Sequence, residues 1–171
     1  MAITLEAFGW RAVFLPALGG AMASLHFSNQ PVLRSGGPDL DDILDCASFP
    51  LIPFANRIGH GLLRINDAVL ALEPEPAAFP HALHGHGWRR PWQVADRSAS
   101  HLTLFYDHPG RGAQGGEGAG GWPWPYRATQ RFVIHASGLR IGMTVRNRDP
   151  RAAMPCGTGI HPYFARRRNS A

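Results

Sequence analysis

The sequence predicts an all-β fold, and three observations carry that prediction. Over 171 residues, 20 glycines and 15 prolines punctuate the chain at short intervals, a spacing that breaks helices and suits turns between short strands. Charged residues make up only 17% against 44% apolar, too little polar surface for many long amphipathic helices. Finally, Leu139, Ile141, Met143 and Val145 alternate with Arg140, Gly142 and Thr144, giving one apolar and one wet face at the period of a strand. A chain of this length supports one domain with a sizeable core, so residues 1–171 are expected to form a single unit.

Taken in order, Ile3–Phe8, Ala12–Leu15 and Met22–Phe27 are the opening strand candidates, separated by glycine, proline, serine or asparagine. Leu40–Cys46 is the one segment with helical character. Leu62–Ile65 and Ala68–Leu72 flank Asn66-Asp67, a pair that tolerates the positive φ of a tight turn, and predict a hairpin. Trp92–Ala95 and Leu102–Tyr106 follow as short strands. Gly110–Gly121 is low-complexity and glycine-rich, expected as a surface loop inside one β domain because the strand pattern resumes after it. In Tyr126–Ile134 the residues Tyr126, Ala128, Phe132 and Ile134 share a face on which Gln130 is the polar exception. Ala136-Ser137-Gly138 then turns the chain into Leu139–Val145, a second hairpin.

The net charge is +5, and all 17 basic residues are arginine. They are scattered apart from Arg89-Arg90 and Arg166-Arg167-Arg168, so no basic stripe with interleaved aromatics marks a nucleic-acid surface, and no nucleic-acid partner is expected. Cys46 and Cys156 belong to no Cys-x-x-Cys pair or zinc spacing, and both are expected as buried free thiols. Met1–Trp10 lacks a basic and apolar leader, and nothing approaches the roughly 18 apolar residues of a membrane span. A cytoplasmic location with no membrane partner is the expectation.

Three segments carry chemistry. His81-Ala82-Leu83-His84-Gly85-His86-Gly87-Trp88-Arg89-Arg90-Pro91-Trp92 gathers three imidazoles and two indoles around glycines that admit a ligand to the backbone. Imidazole exchanges protons near neutrality, which suits acid–base work; the plainer alternative is a turn of solvated histidines. Pro53-Phe54-Ala55-Asn56-Arg57-Ile58 sets an amide and a guanidinium in an apolar run, where they can serve ligand hydroxyls or where Arg57 can pair with an acid such as Asp45. Gly159-Ile160-His161-Pro162-Tyr163-Phe164 puts a histidine at a strand end, before a proline that stops the ladder.

Taken in chain order, Pro53–Ile58, then His81–Trp92, then Gly159–Phe164, with Trp122-Pro123-Trp124-Pro125-Tyr126 between the second block and the last, the segments resemble the signature blocks of the aldose 1-epimerases, or galactose mutarotases. The resemblance implies a large antiparallel β-sandwich, incomplete here at its C-terminal end, and interconversion of α and β anomers of an aldohexose such as galactose or glucose with no cofactor. It implies that His161 is the general acid at the ring oxygen and that His84 assists there by hydrogen bonding. Asn56 and Arg57 would orient hydroxyls, while Trp88, Trp92 and Tyr163 would wall the sugar, their rings suiting its C–H faces.

The family's base is a glutamate near the C-terminus, preceded by a substrate-binding aspartate, whereas no Asp or Glu follows Asp149 here. Impaired turnover and reduced stability are therefore expected of the chain as it stands. Two other classes fit some of the residues. A carbohydrate-binding protein without turnover would use the same aromatics and histidines. A cupin-like metal site would start from His84-Gly85-His86, with His81 or His161 as third ligand, although no acid follows before Asp96.

Overall fold

A computed structural model describes residues 1–110 and 121–166. The expected Gly110–Gly121 loop lies, apart from its two end glycines, outside them. The first sheet is built from β1 (Ile3–Ala7), β2 (Trp10–Leu15), β3 (Ala21–Phe27), β4 (Gln30–Pro31), β5 (Ser48–Leu51) and β14 (Gly159–Pro162), in the order β1-β2-β3-β5-β14 with β4 beside β3. The second runs in simple succession through β10 (Gln93–Arg97), β11 (His101–His108), β12 (Tyr126–His135) and β13 (Gly138–Asn147). Two small ladders complete the set: β6 (Arg57–Ile58) with β9 (Ala82–Leu83), and β7 (Leu62–Ile65) with β8 (Ala68–Ala71). The ladders between these strands are antiparallel.

The two large sheets pack face to face as a sandwich. Leu5, Phe14, Met22 and Leu25 from the first meet Leu102, Leu104, Tyr126, Ala128, Phe132 and Ile134 from the second, with Phe14 and Phe132 ring centroids 4.5 Å apart. In β12 burial alternates along its whole length, as the period-two pattern predicts. Gln130 is tolerated on the inner face because its Nε2 donates to the Gly20 carbonyl at 3.1 Å, satisfying both groups in the core. The β12–β13 hairpin turns at Ala136-Ser137, with His135 opposite Gly138, and the β7–β8 hairpin turns at Asn66, which takes φ 51°.

The first sheet is covered on both faces, which is why β3 is buried without alternation from Ala21 to Leu25. Its outer face carries a second core of Val13, Leu15, Ala21, Ala23, Ile43, Cys46, Phe49, Leu51 and Trp88. Ile43 and Trp88 come from two single 3₁₀ turns, Ile43–Asp45 and Gly87–Arg89.

Two expectations are corrected here. Leu40–Cys46 is not a helix beyond the one 3₁₀ turn, because Asp42 caps it by accepting from the Leu44 N–H at 2.9 Å, a competition for the backbone that favours turns. Of the cysteines Cys46 is buried but Cys156 is exposed; it lies in the irregular surface run between β13 and β14.

Candidate functional site

The sequence places histidines at the ends of short ladders, and the ladders bring two of them together. His161 stands opposite Phe49 in the β5–β14 register, and the two rings stack, centroids 4.9 Å apart and 15° from parallel. His84 follows β9 directly. Its ring meets that of His161 edge-on at 5.8 Å and that of Trp88 edge-on at 5.9 Å. Tyr163 adjoins His161 at 4.7 Å. Arg57 belongs to the same group through the β6–β9 ladder, where it stands opposite Leu83.

His84 is fixed by Asn56. Both residues adopt left-handed backbone, φ 57° and 63°, a conformation asparagine tolerates better than most residues. The His84 N–H donates to the Asn56 carbonyl at 2.9 Å, and the Asn56 N–H returns a bond to His84 Nδ1 at 3.0 Å. With Nδ1 accepting, the neutral ring carries its proton on Nε2 and presents a donor. Burial pushes the His84 pKa down to about 4, aided by the neighbouring His161 and Arg57, so at neutral pH this donor is uncharged. The Asn56 Oδ1 accepts from the Arg57 N–H at 2.9 Å, leaving the amide NH2 to address a ligand. His161 keeps one buried ring nitrogen, Nδ1, without a hydrogen-bond partner among the described residues.

The expected site residues separate into two sets. His84, His161, Asn56, Arg57 and Tyr163 lie together. Arg57 forms no pair with Asp45; among the described residues no ion pair engages it. The two tryptophans are corrected from walls to supports. Trp88 is 1% exposed, with Phe49 stacked on it at 5.5 Å and Arg89 over its ring at 4.0 Å, so neither face is open to a sugar. Trp92 is buried in the sandwich core, its Nε1 donating to the Gly87 carbonyl at 2.9 Å. Residues the sequence did not single out also matter: Phe49 beneath His161, and Arg34, whose guanidinium lies 3.8 Å over the Tyr163 ring.

The cupin-like reading is corrected as well. His84 and His86 face different cores: His86 turns toward Tyr106, His108 and Tyr126, and the Tyr126 hydroxyl bonds His86 Nε2 at 2.9 Å. Among the described residues no three His, Cys, Asp or Glu side chains gather closely enough to hold a metal.

The arrangement can therefore donate hydrogen bonds and protons to an oxygen-rich ligand held over Arg57 and Asn56. The family model for aldose 1-epimerases matches residues 1–170. The chain belongs to the aldose 1-epimerase family. It is 32% identical over 146 residues to the uncharacterized protein YphB of Escherichia coli K12, covering 85% of this chain and 46% of that protein. With the uncharacterized protein YihR of the same organism it shares 30% over 163 residues, 95% of this chain and 49% of that one. This member thus spans about half the length of the curated relatives it matches.

Among solved structures, a putative aldose 1-epimerase from E. coli K12 superposes with a TM-score of 0.82 at 29% identity, covering 96% of this chain and 52% of that one. A galactose mutarotase-like protein from Clostridium acetobutylicum gives 0.79 at 21% identity, covering 95% and 50%, and supports the fold alone. The all-β sandwich expected from the sequence is the observed architecture. No described helix is long and apolar enough to cross a membrane.

Proposed function

We propose that this family member is an aldose 1-epimerase acting on an aldohexose such as galactose or glucose, without metal or organic cofactor. The observation that carries the reading is the convergence of His84 and His161 beside Arg57 and Asn56. Anomer exchange requires that the anomeric hydroxyl lose its proton, here to solvent water because Glu75, the carboxylate whose charge is felt at His84, is tied to Arg89, while the ring oxygen gains one. The C1–O5 bond then breaks to the open aldehyde, which recloses on its other face, and turnover is impaired for want of a positioned base. His161 is the proton donor to the ring oxygen. His84, neutral and locked with its proton on Nε2, supports that oxygen by hydrogen bonding, and its geometry costs no reorganisation during the reaction. Arg57 and Asn56 hold hydroxyls, with Tyr163 at the border.

The second reading, carbohydrate binding without turnover, draws on a different observation. Glu75 is the carboxylate whose charge is felt at His84, and it is tied to Arg89 at 2.6 Å, a poor state for a base. Polarimetry of freshly dissolved α-galactose or α-glucose separates the two. Acceleration over buffer that falls about 10²–10⁴-fold in His161→Ala supports the acid role. Saturable sugar binding without acceleration supports the binding reading, and neither binding nor acceleration removes both.

A further inference from the structure

His86, which turns away from His84, lines a cavity of about 530 Å³, within the range of about 300–1,000 Å³ usual for small-ligand sites. None of Asn56, Arg57, His84, His161 and Tyr163 lines it, so it is distinct from the site described above. Part of its wall is apolar. Leu72 and Ala82 are 5% and 3% exposed and belong to the sandwich core, and Phe54 packs against that core beside Trp122, ring centroids 5.9 Å apart. His86 is 7% exposed and is fixed from behind by the Tyr126 hydroxyl on its Nε2.

Two runs of chain frame the cavity, and they hold each other. Pro74 and Pro76 stiffen the first, which continues into the 3₁₀ turn Pro76–Ala78, and the Glu75 N–H donates to the His81 carbonyl at 2.9 Å. From the second run, Arg89 Nη2 donates to Glu75 Oε1 at 2.6 Å. This clasp pairs two of the four charged side chains on the lining and leaves Glu73 and Arg90. Among the described residues neither enters an ion pair, with the other or with a third group. Burial is the first cause of the lowered pKa of His86 and of His108, and the Arg90 charge contributes to both, so its guanidinium stands within electrostatic reach of the cavity's buried side.

We propose that this cavity is a second ligand site, for a free α-amino acid with an apolar side chain. The carboxylate pairs with Arg90, whose planar fork suits it, the ammonium pairs with Glu73, and the side chain lies on Phe54, Leu72 and Ala82. Opposite charges that line one cavity without neutralising each other select a zwitterion, because a simple acid or a simple amine leaves one of them unmatched. The proposal goes beyond the aldose reading and does not depend on it.

The test is a set of titrations of the full chain, by calorimetry or saturation-transfer NMR, with L-leucine, isocaproate and isoamylamine. The three share one hydrocarbon body and carry both charges, the carboxylate alone and the ammonium alone. L-leucine is expected to bind about tenfold or more tightly than either analogue, the worth of one charged hydrogen-bonded pair. Arg90→Gln is expected to weaken L-leucine and isocaproate by that factor and leave isoamylamine unchanged. Glu73→Gln should weaken L-leucine and isoamylamine and leave isocaproate unchanged. Both side chains are exposed, so both variants should keep the parent's thermal midpoint. L-leucine that fails to bind, or binds no more tightly than its analogues, overturns the proposal, as does a substitution that weakens all three probes alike. Displacement of L-leucine by galactose also overturns it, since the cavity would then belong to the aldose site. L-leucine binding that saturating galactose leaves unchanged supports it. Failure of the parent protein to bind any aldose, with the L-leucine pattern as expected, removes the proposed function and leaves this second site standing.

Discussion

Gly85 separates two histidines that serve different surroundings, and its backbone makes the separation possible. It takes φ +67°, and a Cβ there would stand 2.2 Å from the Ile52 carbonyl oxygen, at the point where Ile52 and Gly85 form a parallel bridge. Neither backbone can withdraw without releasing β5 or the His84 turn. Gly85→Ala is thus expected to cost more than about 2 kcal/mol, read as a lower midpoint in urea unfolding at unchanged slope, and to displace His84 from His161, read as a change in the His84 ring resonances. At this scale the sequence was informative about which residues are polar and clustered, and less so about where they point. That His84, His161 and Arg57 come together was legible because ordered motifs carry them. Trp88 and Trp92 were misread because the turn through His84, Gly85 and Gly87 redirects every side chain after it, and no local pattern encodes that. Phe49 was missed because nothing marks an apolar strand residue as a platform until a partner 112 positions away, His161, pairs with it.

The elements divide by whether one face or both are covered. Strands β11, β12 and β13 alternate, with one face in the sandwich, and their existence and the β12–β13 hairpin were legible, although the strands run on beyond the expected ends; β2 and β3, buried on both faces, show no alternation from which to read direction. The register predicts a contrast between two phenylalanines on paired strands. Phe132 is 2% exposed and faces Phe14 across the sandwich, whereas Phe105, on the opposite face of β11, is partly exposed with the Arg127 guanidinium 4.4 Å over its ring. Phe132→Ala should destabilise by about 3–5 kcal/mol through lost transfer energy and the cavity left behind. Phe105→Ala should cost about 1 kcal/mol, mainly the cation–π contact and partial burial. Equal losses in chemical unfolding would show that the register assigned to β11 and β12 is wrong.

For the whole molecule, the imidazoles enclosed by the fold set its response to acid. Burial pushes His86 down to about 3, with His108 and Arg90 contributing, and His84 to about 4; His108 is lowered too, chiefly by burial. Each of these groups is neutral in the folded protein at a pH where the unfolded chain, with an ordinary histidine value near 6.5, already binds a proton. Stability therefore rises with pH wherever the unfolded state holds the extra protons. It is fully present above about pH 6.5 and is lost progressively as pH falls toward about 4 for His84 and about 3 for His86. The carboxylates act lower: Arg127 holds Asp107 below its ordinary value, a small and screened contribution that is lost only under more acid conditions. The expected thermal midpoint is flat above neutrality and declines steadily below about pH 6.5. His86→Gln, which keeps an acceptor for the Tyr126 hydroxyl but cannot be protonated, should flatten that decline. A parent protein whose midpoint holds constant from about pH 7 to about pH 4 would show that these rings are open to protons in the native state, and that the buried tyrosine–histidine group between the sheets is not dry.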